Sequence, residues 1–483
     1  MIYLILLALT TLASAFLQYR IWMKSRSIVL VLPTLVIYYW SLMGGWAVTI
    51  DLLTNNALEN YGFHYYAYFE KLFPIQLNES YFFSLCMFSL FLLAYQCSVL
   101  WMLRKVVSDE LTQTENTPSL NHWVILIAAC SLAIVSYFFI RAQIAEAIEN
   151  HESLYIYLSH HSGKYYSLYQ ICKSSALFLA LFGVALLLSQ QDGKRFRGNF
   201  SPSIVIAYAL VLFLLLTYSA LIGSRNDLLF AFLFSISFYI VNARKVSVGR
   251  VGLQLGGLAT LIVLIEMTRA LPILDYLGLS TGPGIPSDQV AQKLSFFSSV
   301  LSLLASNEMF AGHMSMYGAV YYDVPFTFGG SFNYLVHSMI PRIFEVARPI
   351  DSYQHYTAAI NYTDVQGFTI NHATGWYVNF GVVGVFVGAV LIGLLAGYAF
   401  CLQVKTNQSN RFVYILHSIL LLCIASFFPA LIRTGPEGFK ALFFEAIVIP
   451  TLLIALVYRI SDFSSKTKRM EKSFVTSNSI NGK

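Results

Sequence analysis

Runs of about twenty apolar residues recur along this chain, and they limit its fold more than any motif does. Lipid offers no partner to backbone N–H and C=O groups, so a segment crossing it must satisfy them internally, which takes roughly 17 to 25 apolar residues as an α-helix. Such runs fall near 1–19, 28–50, 80–102, 122–140, 169–190, 203–221, 227–243, 251–268, 374–402, 411–432 and 439–459. Composition agrees: 57% of residues are hydrophobic and 11% charged, against roughly 25% charged in a soluble domain. The expected fold is an all-α polytopic membrane protein with about eleven spans. The first run contains Ala13-Ser14-Ala15, a small-residue string like a cleavage site, but Arg20, Lys24 and Arg26 follow it and no basic residue precedes it. It therefore reads as a retained span.

Lys and Arg set the orientation, since they are retained on the cytoplasmic side. With the N-terminus outside, inner segments hold Arg20, Lys24, Arg26, Arg104, Lys105, Lys194, Arg195, Arg197, Arg244, Lys245, Arg250, Lys405 and Arg411, together with a basic C-terminal tail. The organisation is one transmembrane domain over 1–460, with an outer loop at about 269–373 inserted before the last three spans, and a disordered cytoplasmic tail over 461–483. The loop carries turn chemistry at Thr281-Gly282-Pro283-Gly284-Ile285-Pro286 and Phe328-Gly329-Gly330 between apolar stretches, so short amphipathic or re-entrant helices are expected in it. The six cysteines lie in or beside apolar runs without metal-ligand spacing and read as small hydrophobes. Glycines 381, 384, 388, 393 and 397 include two GxxxG spacings, which let another helix backbone approach closely.

Four arginines on the outer side break the charge rule: Arg225, Arg342, Arg348 and Arg433. Arg225 lies in Gly223-Ser224-Arg225-Asn226-Asp227 and Arg433 in Arg433-Thr434-Gly435-Pro436-Glu437-Gly438, each a short turn between two spans. A guanidinium is a rigid fork suited to phosphate oxygens, and two held near the outer headgroups could clamp the diphosphate of a lipid-linked substrate. The alternative is that each binds a headgroup or pairs with Asp227 or Glu437.

His372, in Asn371-His372-Ala373-Thr374-Gly375-Trp376, stands where the long loop meets a span and could orient or deprotonate a sugar hydroxyl; an exposed interface histidine is the competing account. Glu308, in Ser306-Asn307-Glu308-Met309-Phe310, is the other candidate base, with a helix-end carboxylate as its alternative. The remaining histidines show no HExxH spacing, so no metal and no cofactor are expected. Aromatic residues, 16% of the chain, read first as interfacial anchors.

The span arrangement and the strings Gly223-Ser224-Arg225, Gly329-Gly330-Ser331-Phe332, Ile340-Pro341-Arg342 and Tyr377-Val378-Asn379-Phe380-Gly381 resemble the Wzy-type oligosaccharide repeat-unit polymerases of bacterial O-antigen and capsule assembly. That resemblance implies a metal-independent glycosyltransferase of the bacterial cytoplasmic membrane. It would move a growing glycan from undecaprenyl diphosphate onto one new lipid-linked repeat unit. Its implied partners are those lipid-linked glycans and the bilayer, with a chain-length regulator and a flippase beside it, and no nucleic acid. Arg225 and Arg342 fall on patches where the family has basic residues, and Arg433 matches by position between the last two spans. The resemblance assigns no role to His372 or Glu308.

Two other functions fit parts of the pattern. An O-antigen ligase shares the architecture and donor but uses lipid A-core as acceptor. A flippase would call for ionisable residues lining the bundle at mid-depth, whereas Lys173, Glu266 and Glu445 lie toward span ends. The basic-residue distribution makes one direct prediction: tags in 141–168 and 269–373 report the outer face, and tags after Arg195 or in the tail report the cytoplasm. A cytoplasmic signal from 269–373 would invert the topology.

Overall fold

In a computed structural model, residues 1–54, 69, 72, 74–104, 121–150, 154, 157–158, 165–191, 202–222, 225–242, 308–340, 344, 347–362, 369–406 and 411–461 are described. Among the described residues every regular element is helical. The helices are α1 (Ile2–Ser25), α2 (Leu32–Leu53), α3 (Glu79–Leu103), α4 (His122–Glu149), α5 (Tyr166–Gln191), α6 (Pro202–Leu221) and α7 (Arg225–Asn242). The second part holds α8 (Glu308–Tyr321), α9 (Gly330–Ser338), α10 (Ser352–Ala359), α11 (His372–Thr406), α12 (Arg411–Ile432) and α13 (Gly438–Ser461). Eight of these are long and apolar enough to cross a membrane, and Asn226–Phe238 and Leu416–Ile432 are shorter apolar helices. The chain is therefore an α-helical membrane-embedded protein. The apolar run at 251–268, the start of the long loop and the tail beyond Ser461 lie outside the described residues.

Side-chain contacts fix the relative direction of the spans. Tyr3 donates to the Asn78 carbonyl at 3.3 Å, Thr10 to Ser89 at 2.9 Å, and Gln96 to the Ser14 carbonyl at 3.0 Å, so α1 and α3 run parallel. At the opposite rim the Asn121 N–H donates to Ser461 Oγ at 3.1 Å and His122 lies against Tyr208, bringing together the start of α4, the end of α13 and the start of α6. This rim also carries Arg20, Lys24, Arg26 and Arg104, as alternating spans require.

α11 is broken where Phe380 and Gly381 leave helical geometry; Gly381 has φ +61° and ψ −145°, a region open to glycine. Residues 372–379 climb about 12 Å, at 1.5 Å per residue, and the chain then turns back on itself. The glycine run serves this hairpin as well as helix packing. A Cβ on Gly384 would stand 2.3 Å from the Trp376 carbonyl oxygen and one on Gly388 2.5 Å from the Trp376 ring, while one on Gly393 would stand 2.5 Å from the Tyr95 carbonyl oxygen of α3. The sequence pattern thus marks close approach correctly, but two of its five glycines, Gly384 and Gly388, face the first limb of the same helix.

The part of the long loop that is described contains the expected short helices, and they fold inward. α8 packs on a π-helical turn of α2, Tyr39–Met43. Such a turn leaves carbonyls free of the regular ladder. His313 donates through Nδ1 to the Ser41 carbonyl at 2.8 Å, and Asn371 Nδ2 donates to the Trp40 carbonyl at 3.0 Å. Gly312 allows this approach, since a Cβ there would stand 2.7 Å from the Trp40 carbonyl oxygen.

Two substitutions test the packing. Gly393→Ala and Gly375→Ala each drive a methyl into backbone atoms of a neighbouring segment, the second 2.5 Å from the Gly435 Cα. Each should cost about 1–3 kcal/mol through overpacking. Val383→Ala, at a site 68% exposed, should change stability by less than about 0.5 kcal/mol. Thermal unfolding in detergent measures all three; equal behaviour would refute the close approach.

Candidate functional site

The turn between α12 and α13, residues 433–437, lies recessed below the long-loop rim, at the level where α11 begins. Its backbone would be costly in a dry bundle without partners, and His372 supplies one. The His372 ring is fully buried. Its Nδ1–H donates to the Thr434 carbonyl at 2.8 Å, and its Nε2 accepts from Trp376 Nε1–H at 2.9 Å. Because tryptophan can only donate, the ring is held as the neutral Nδ1–H tautomer and neither nitrogen is left for a substrate proton. The sequence placed His372 where it could meet a sugar hydroxyl or stand exposed at the interface; the structure does neither, and makes it a positioning residue for the Arg433 turn.

The Arg433 turn meets the start of α7. Arg433 Nη1 donates to Asn226 Oδ1 at 3.2 Å, so the 433–438 turn is tied to the residue beside Arg225, 207 positions away in the chain. Arg225 opens α7 and Glu308 opens α8; only their backbones are described. Arg348 donates from Nη2 to the Ile340 carbonyl at 3.1 Å, three residues before Asp351. Arg342 lies outside the described residues.

Beside the joined turns is a cavity of about 500 Å³. Its polar lining includes Gln170 and Ser174 of α5, Asn226 and Asp227 of α7, Tyr334 and Ser338 of α9, the α10 N-cap Asp351, Ser426 of α12, Thr434, and Glu437, Lys440 and Glu445 at the start of α13. Asp227 and Glu437 each have a described partner other than an arginine. Asp227 Oδ2 sits 2.6 Å from Lys173 Nζ, with the lysine 1% and the aspartate 13% exposed. Glu437 Oε1 accepts the Ser352 N–H at 2.6 Å, capping α10, while its Oε2 is buried with no hydrogen-bond partner among the described residues. Burial is the main cause holding the carboxyls of Glu437 and Asp351 above the usual carboxylate range. Among the described residues, no three His, Cys, Asp or Glu side chains are grouped to hold a metal ion.

Lys173 and Glu445 each lie seven residues into their helices, consistent with their place toward span ends in sequence. Their convergence with Asp227 was not readable there, because each belongs to a different apolar run. A charge inside such a run was the available signal.

No protein-family model, curated protein or solved structure matches this chain.

The buried pair gives a sharp expectation. Lys173→Ala or Asp227→Ala alone leaves an uncompensated charge in the bundle and should cost about 3–5 kcal/mol, whereas Lys173→Met with Asp227→Leu should recover most of it. Yield and unfolding temperature in detergent read this out. If the double variant is as unstable as the sum of the singles, the two groups are not coupled.

Proposed function

We propose that this chain is a Wzy-type repeat-unit polymerase, with eleven spans in the cytoplasmic membrane of a bacterium. It joins undecaprenyl-diphosphate-linked oligosaccharides on the outer face. The observation that carries this reading is the Arg433–Asn226 bond, which sets two arginine turns side by side at a polar cavity. A diphosphate leaving group needs charge stabilisation more than protonation, and arginine supplies that without a metal. In this reading Arg225 and Arg433 hold the diphosphate, and Arg342 and Arg348, which precede α10 in sequence, are its further candidate ligands. The carboxylate-rich cavity repels phosphate and accepts sugar hydroxyls.

In the reaction an acceptor hydroxyl attacks the anomeric carbon of the donor. The new glycosidic C–O bond forms as the anomeric carbon–phosphate oxygen bond breaks, and undecaprenyl diphosphate departs with the bonding electrons. Glu437, with one oxygen free of hydrogen bonds among the described residues and a carboxyl raised by burial, takes the hydroxyl proton in place of His372. A proton acceptor whose affinity lies closer to neutrality is the better general base. The O-antigen ligase reading shares this donor half and differs in the acceptor.

One observation favours a second reading. The buried Lys173–Asp227 pair beside Glu445 is the kind of intramembrane ionisable group that transporters use. Translocation of the lipid-linked unit by the purified protein in vesicles, without chain growth, would select it.

Polymerisation of a purified lipid-linked repeat unit, read as chain length on a gel at matched protein levels, tests the proposal. Arg225→Lys and Arg433→Lys keep the charge but lose the planar fork, and each should lower turnover roughly ten- to hundredfold. Glu437→Gln retains the Ser352 contact and should lose at least about a hundredfold. Activity should survive excess chelator. Normal chains from all three variants would place the reaction elsewhere.

A further inference from the structure

At the opposite rim the structure holds a second cavity, of about 570 Å³ and largely apolar lining. It arises because α1 and α11 both pack on α3 but on different faces of it, leaving a cleft over the stripe between. Cys97, Trp101 and Arg104 form the floor, spaced along one side of α3. Leu17 of α1 forms one wall, and Phe386, Val390 and Leu394 of α11, at successive turns, form the other.

Three features name the occupant. The floor runs from Ala94 to Arg104, ten residues or about 15 Å, which is half of the ~30 Å hydrocarbon thickness. The cleft therefore matches one leaflet rather than a long polyprenyl tail. Its inner end is apolar, and its outer end carries the Arg104 guanidinium, with Lys105 following in sequence. Trp101, 49% exposed, stands one turn inside Arg104, where an amphipathic ring meets glycerol and ester groups.

We propose that this cleft binds one anionic phospholipid of the basic-rim leaflet, an acyl chain lying along α3 between α1 and α11 and the headgroup phosphate on Arg104. The site is separate from the arginine turns, which lie at the other rim, and does not depend on the polymerase reading. Its role is to fix the packing of α1 and α11 around α3.

The full-length chain, purified in detergent, is titrated with phosphatidylglycerol or phosphatidylcholine and followed by native mass spectrometry. One phosphatidylglycerol should be retained, about fivefold more tightly than phosphatidylcholine, since each basic residue near the headgroup contributes on that order. Arg104→Gln should bring the two lipids to parity. Cys97→Phe, which fills the floor, should remove binding of both while the helical circular-dichroism signal is kept. Wild-type protein photolabelled with phosphatidylglycerol carrying a diazirine in its acyl chain should be modified in 94–104 and 386–394, a readout that needs no variant to fold. Equal retention of the two lipids by the wild type, no effect of either substitution, photolabel elsewhere, or displacement of the lipid by polyprenyl phosphate would each overturn the proposal.

Discussion

The fold depends on satisfying non-helical backbone at the depth of a dry helical bundle. Two stretches pose this problem, residues 369–371 leading into α11 and residues 433–437 between α12 and α13. The solution is local and shared. The π-helical turn of α2 offers the Trp40 and Ser41 carbonyls to Asn371 and His313, and His372 spends one ring nitrogen on the Thr434 carbonyl and the other on Trp376. Each buried histidine acts through its fixed tautomer, donating from Nδ1. Removing one partner would leave a carbonyl without water or protein, which costs more than the bond contributes when present.

That constraint explains why the candidate site is recessed. With 372–379 folded back against the descending limb of α11, the 433–437 turn is held below the rim, and α9 and α10 close over it through the Glu437–Ser352 bond and the Ser331–Ser352 hydroxyl contact. Charges can persist at this depth because they are paired or hydrogen-bonded: Lys173 has Asp227, and Glu437 has the α10 N-terminus. The two rims then differ in chemistry. One gathers carboxylates and arginine turns around a polar cavity, while the other presents basic residues beside an apolar cleft.

Most of the helical architecture was legible in the sequence, because a lipid-spanning helix must be continuous and apolar and leaves a run that needs no tertiary information to find. The runs near 80–102 and 203–221 reappear as α3 and α6 with ends shifted by at most one residue, and the run near 122–140 as α4, which continues nine residues further to Glu149. Arg225 and Arg433 were also visible, as charges in short turns on the side that the sequence leads one to expect to be poor in basic residues. The two turns could not be seen to adjoin, since the Arg433–Asn226 bond joins residues 207 positions apart. Trp376, one helical turn on, was a local neighbour of His372, but nothing local showed its burial, because Thr434 and Phe439 reach it through the fold.

The sequence by itself determined that this protein is a helical membrane protein, since length and hydropathy of each run are properties of single segments against lipid. The placement of lysine and arginine also gives each loop an expected side. Only the tertiary structure decided which polar groups meet. Lys173, Asp227 and Glu437 sit in separate segments, and their pairing energies depend on distances and desolvation that arise when α5, α7, α10 and α13 pack. It also decided that the glycine run of α11 divides between a hairpin and a helix contact, because the break at Gly381 turns the chain and so chooses which neighbour each glycine faces.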